Sequence, residues 1–127
     1  MFYFFLCYSS FLAAEAEYTA SNSKIILVSE STTLQPKDSL YLGIKFELEK
    51  DWHTYRENPG DAGEGAVIKW SLPDGVSSSE ILWPGPERIP VDQLMTYGYN
   101  NEVIMLTKIT TSDKIDFPIE LNAQVSW

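Results

Sequence analysis

Five apolar side chains at alternate positions, Leu40, Leu42, Ile44, Phe46 and Leu48, constrain this chain more than any other feature. They are separated by Tyr41, Gly43, Lys45 and Glu47. Successive side chains of an extended strand point to opposite faces, so this run sets one face in a core and leaves the other largely in water. On a helix the same residues would scatter around the circumference. Ile119, Leu121, Ala123, Val125 and Trp127 repeat the pattern against Glu120, Asn122, Gln124 and Ser126. Lys24 to Val28 and Val103 to Ile109 are further β-rich runs, and Val67 to Leu72 and Glu80 to Trp83 are shorter candidates. No segment carries a helical stripe with caps.

Turn chemistry divides these runs. Gln35-Pro36-Lys37-Asp38 precedes the first long strand, and Pro73-Asp74-Gly75 and Asn100-Asn101 suit later turns. Asn58-Pro59-Gly60-Asp61 is a strong turn signal, because proline presets φ and glycine accepts a positive one. Trp83-Pro84-Gly85-Pro86 is excluded from a central strand, since each proline removes a ladder donor. Short strands with turns about every ten residues predict an all-β fold, an antiparallel immunoglobulin-like β-sandwich, with a barrel as the structural alternative. The length of 127 residues fits one domain. Ile119 to Trp127 has no turn or polar tail after it. Its sheet is therefore expected to be incomplete at the C-terminus, with an open edge that favours self-association.

The first sixteen residues stand apart. Met1 to Ala14 is uncharged and largely apolar, and Ala14-Glu15-Ala16 gives the small-x-small pattern of a signal-peptidase site. Residues 1–16 are read as a secretory leader and 17–127 as the domain. No lysine or arginine precedes the apolar run, which departs from the usual leader, and a buried strand or helix is the alternative reading. Cys7 is the sole cysteine and lies inside the leader, so the processed domain carries no thiol, no internal disulfide and no thiolate metal site.

Charge narrows the partners. The net charge of −9 disfavours nucleic acid and anionic membrane surfaces, which are bound chiefly through lysine and arginine. His53 is the one imidazole. A metal site would want further His or Cys ligands, and no Gly-x-Ser-x-Gly elbow supports a hydrolase, so a structural or hydrogen-bonding histidine is the favoured reading. No acidic pair is singled out for glycoside hydrolysis. Asp61 and Glu64 argue against a phosphate loop among the glycines at 60, 63 and 65, and they lack EF-hand spacing. Trp52, Tyr55, Trp70, Trp83, Tyr97 and Tyr99 sit at or beside turn signals. Rings at the ends of a sandwich usually plug its core, and the competing reading is an aromatic recognition surface.

Three landmarks read together go further. Trp52-His53-Thr54-Tyr55 with Asn58-Pro59-Gly60-Asp61-Ala62-Gly63, then Trp70, then Trp83-Pro84 with Pro86-Glu87-Arg88, then Tyr97-Gly98-Tyr99 with Val103, resemble the N-terminal domain of DsbD-type thiol:disulfide interchange proteins, in particular the branch of ScsB-like protein-disulfide reductases. The resemblance covers about Ser29 to Trp127. It implies an immunoglobulin-like periplasmic domain of an inner-membrane protein, relaying electrons to periplasmic thiol/disulfide proteins and exchanging them with a thioredoxin-like domain of the same parent. It implies no cofactor. It places the family's redox cysteines shortly after the strand that here ends Val125-Ser126-Trp127, so no catalytic residue is carried over and the chain alone is expected to be inactive. Arg56 stands where the family often has an aromatic. Trp52, His53, Tyr55, Tyr97 and Tyr99 are the candidates for shielding the cysteine site or facing a partner. The reading from another class is a non-redox carbohydrate- or peptide-binding module that uses the loop aromatics.

Overall fold

The computed structural model describes residues 2–8, 17–31, 34–116 and 119–127. In chain order the strands are β1 (Phe2–Tyr8), β2 (Glu17–Thr19), β3 (Ser23–Ser29), β4 (Ser39–Leu48), β5 (His53–Gly60), β6 (Val67–Ser71), β7 (Val76–Ser78), β8 (Glu87–Val91), β9 (Leu94–Asn100), β10 (Glu102–Thr111) and β11 (Ile119–Ser126). Among the described residues there is no helix, and every strand pairing is antiparallel. The strands form three sheets, ordered β2-β3-β4-β10-β7, β1-β11-β6 and β5-β9-β8. This is the all-β immunoglobulin-like sandwich that the alternation predicts.

The core follows from strand parity. Leu40, Leu42, Ile44 and Phe46 of β4 are fully buried, as are Ile25 and Leu27 of β3 and Met105 and Ile109 of β10. From the facing sheet Ile119, Leu121, Ala123 and Val125 of β11 join the same cluster, with Ile68 and Trp70 of β6 packed against it. At ~25 cal/mol per Å² of apolar surface removed from water, these side chains supply most of the drive to fold. The register shows why β4 and β10 stay aligned. Ile44 lies opposite Met105, Phe46 opposite Val103 and Leu40 opposite Ile109, so a one-residue slip would turn every core side chain outward. On the outer face Glu47 lies opposite Glu102, a like-charge pair that Lys45 bridges at 3.1 and 3.4 Å. Its hydrogen bond to Glu47 and the charge of Glu102 raise the Lys45 pKa above the usual lysine value.

Several strands differ from the sequence reading. Leu94 to Asn100 is β9, so Tyr97-Gly98-Tyr99 lies within a strand and not on a loop. β8 and β9 form a hairpin turning at Asp92, whose φ of 53° is left-handed. That turn has no glycine, which hid it. Glu80 to Trp83 is no strand. Leu82 makes a single bridge to Leu106, beyond the stretch of β10 that pairs with β7 and Ser79. β11 is not left with an open edge: β6 pairs along one side and β1 along the other, from Phe2 opposite Val125 to Tyr8 opposite Ile119. The apolar, β-rich run read as a leader supplies that strand, while residues 9–16 lie outside the described residues.

Candidate functional site

The three sequence landmarks converge on the sheet β5-β9-β8, and each has a mechanical role there. In the first, Asn58 Oδ1 accepts from Gly60 N at 3.4 Å, and Gly60 turns with φ of 87°. Asp61 then fastens the turn to β9 twice: its backbone N donates to Met95 O at 3.0 Å, and its Oδ2 accepts from Met95 N at 2.8 Å. Gly63 lies against the face of Tyr55, where an added Cβ would fall 2.6 Å from the ring. Between Tyr55 and Gly60 the pairing with β9 shifts register, so Pro59 sits in a bulge and interrupts no ladder. The second landmark ends the core. Trp83 packs on it, and the carbonyl of Pro84 accepts from the Tyr99 hydroxyl at 2.8 Å. In the third, Gly98 lets β9 approach β5 closely, and Asn100 Nδ2 donates to Glu87 Oε2 at 2.8 Å.

This arrangement sorts the candidate residues. Tyr99 is only 4% exposed and shares a face with buried Thr54, its cross-strand partner, so it caps the core. Tyr97 lies over Gly60, away from the histidine. Trp52, His53 and Tyr55 come together. A left-handed Asp51 and the bond from Trp52 N to Glu49 O at 3.0 Å turn the Trp52 ring outward, 54% exposed. His53 Nε2 and the Tyr55 hydroxyl share a hydrogen bond at 3.0 Å, their rings edge to face at 5.0 Å. Among the described residues the side-chain hydrogen bond of His53 is the one to the Tyr55 hydroxyl, with no serine or aspartate bonded to it.

The three side chains line a cleft of about 370 Å³ with Asn22, Ser23, Leu48, Thr54, Glu64 and Trp127. Trp127 enters it from the end of β11. Its ring stands edge to face on Phe46 at 5.8 Å, and its Nε1 donates to Ser23 Oγ at 3.2 Å. Sequence reasoning did not find Trp127, Glu64 or Ser23 as cleft residues. The only available signal was that a strand ending on tryptophan must set that ring at the rim of the sandwich. The cleft presents an aromatic wall, one carboxylate and one imidazole.

The model of the family described as "Thiol:disulfide interchange protein DsbD, N-terminal" matches residues 23–127. The chain belongs to the DsbD N-terminal domain family. No curated protein sequence matches it significantly. Among solved structures it is similar to the N-terminal periplasmic domain of ScsB from Proteus mirabilis, with a TM-score of 0.63 and 21% identity over 86% of this chain. That match confirms the fold. The chain spans 42% of the length of the ScsB domain chain. In this DsbD-type domain the three landmarks are thus a set of fasteners that hold β5, β8 and β9 together.

The Tyr99–Pro84 fastener gives a pH-dependent expectation. Burial raises the Tyr99 pKa above the ordinary tyrosine value, against the opposing pull of the Arg56 guanidinium. A raised folded-state value means that the neutral hydroxyl stabilises the fold below the unfolded pKa of ~10, and that this contribution is lost as pH rises through the folded value. Tyr99→Phe should cost about 1 kcal/mol at neutral pH through the lost hydrogen bond. It should also flatten the fall in stability above pH ~10. Urea denaturation at neutral and alkaline pH tests this; an unchanged alkaline slope would refute the assignment.

Proposed function

We propose that the chain is an extracytoplasmic relay domain of a protein-disulfide reductase, serving thiol:disulfide interchange with periplasmic partners after removal of residues 1–16, which takes β1 away and reopens that edge of β11. The cleft of Trp52, His53 and Tyr55 is the surface that shelters the family's cysteine pair and receives the partner. One observation carries the reading: Trp127, at the end of the strand after which the family places its cysteines, lines the same cleft. Thiol exchange needs an attacking thiolate and a second thiol to resolve the mixed disulfide, and both must be kept from stray oxidants between partners. Aromatic side chains beside the pair would limit access without adding a competing nucleophile. The reaction itself belongs to those cysteines, and no residue of 17–127 substitutes for them.

The test uses a chain extended through the cysteine pair. Trp52→Ala should raise its alkylation rate severalfold and slow reduction of a partner. Tyr97→Ala, at a residue that does not line the cleft, should change neither while the fold persists. Equal alkylation rates for parent and a folded Trp52→Ala variant would defeat the shielding role.

A further inference from the structure

A second groove lies away from the aromatic cleft, where the sandwich opens along one side. β6 pairs with β11 on one edge only, and among the described residues no strand pairs with its other edge. The start of that edge touches β5 through a bridge between Tyr55 and Gly65. Arg56 and Glu57 still lie against Gly65, and beyond that bridge β5 and β6 form no strand pairing among the described residues. On the opposite bank, Ser79 and Leu82 are held to β10 by bonds of 2.9 Å to Lys108 O and 2.8 Å to Leu106 O. The gap between the two banks is about 380 Å³. Ala66, Ile68, Ile81 and Trp83 give it an apolar lining, and Glu57 and Glu80 stand beside them. Both carboxylates are exposed, and neither forms an ion pair among the described residues.

We infer that this groove binds an extended segment of another polypeptide, apolar at alternate positions and carrying lysine or arginine, which adds to the open edge of β6. Three features favour that occupant. An unpaired strand edge offers backbone donors and acceptors in register for another strand. The apolar lining accepts every second side chain of such a strand, which the pleat directs to one face. The two exposed carboxylates of the groove, in a chain with net charge −9, select cationic residues and repel acidic ones. The five residues of β6 match a partner of about 17 Å. The inference does not depend on the relay reading, because the groove shares no lining residue with the aromatic cleft.

The probe is the acetylated, amidated peptide Lys-Val-Thr-Val-Lys, titrated into the chain and followed by backbone amide NMR. Saturable shifts are expected along Ala66 to Ser71 and at Ile81 to Trp83. The double variant Glu57→Lys/Glu80→Lys should weaken binding by on the order of tenfold. A peptide N-methylated at alternate residues should not bind, since it lacks the main-chain donors. The counterpart with glutamate in place of lysine should bind weakly or not at all. Absence of saturable shifts, equal binding of the acidic peptide, or shifts along β6 that follow protein concentration without peptide would overturn the inference. The last result would assign the edge to a second copy of the chain.

Discussion

Gly98→Ala is expected to cost about 3 kcal/mol or more and to unfasten β5 from β9. A Cβ at this position would run into the carbonyl oxygen of Thr54, and it would lie 3.0 Å from Tyr55 Cα and 3.1 Å from Thr54 C. All three atoms belong to the β5 backbone, so no side-chain rotation relieves the clash. The strands must separate, and their separation pulls on every fastener nearby: the pairing of Thr54 with Tyr99, the Asp61 bonds to Met95 and the Tyr99 bond to Pro84. Gly85→Ala supplies the contrast. It alters the glycine of Trp83-Pro84-Gly85-Pro86, where an added Cβ meets nothing within 4 Å, so its stability should stay within about 0.5 kcal/mol of the parent. Urea denaturation of both variants reads the difference. A Gly98→Ala chain as stable as Gly85→Ala would show that the close approach of β9 to β5 is not a requirement of the fold.

How far the fold could be read in advance depended on whether a segment's neighbours matter. β4 and β11 were legible because their alternation is local: Leu40 to Leu48 and Ile119 to Val125 declare a buried face without reference to any partner. β8 and β9 were not. Thr96 and Gly98 are buried with no apolar pattern, Thr96 because its hydroxyl donates to Ile89 O at 2.6 Å and Gly98 because β5 presses on it. Their burial is set by the hairpin and by β5, neither of which appears in the local sequence. The same distinction applies to the site. His53 and Tyr55 are two residues apart on one strand face, so their contact was implicit in the sequence. Trp127 joins them from seventy-two positions beyond Tyr55, a juxtaposition that only the packing of β11 on β4 creates. Tyr97 and Tyr99 looked equivalent as a pair, yet one covers Gly60 and the other seals the core.

That long-range contact makes Phe46 the position where core and cleft are coupled. Phe46 is fully buried on β4, opposite Val103 of β10 and Ile25 of β3, and the Trp127 ring stands on it edge to face. Phe46→Ala removes a large apolar volume from a site walled by backbone-paired strands that cannot close over the gap. A loss of about 3–5 kcal/mol is therefore expected, against a total stability of about 5–15 kcal/mol for a domain of ordinary size. Phe46→Leu keeps most of the volume and should lose much less. In urea the midpoint should fall while the slope is retained, because the same surface is exposed on unfolding. The cleft should respond as well. With its packing partner gone, the Trp127 ring is no longer held over Ser23, and its indole N–H should exchange with solvent faster than in the parent under conditions where both remain folded. Unchanged indole exchange in a destabilised but folded Phe46→Ala chain would separate the two. It would mean that contacts other than Phe46 position Trp127, and that the core lends the proposed partner-facing surface no rigidity.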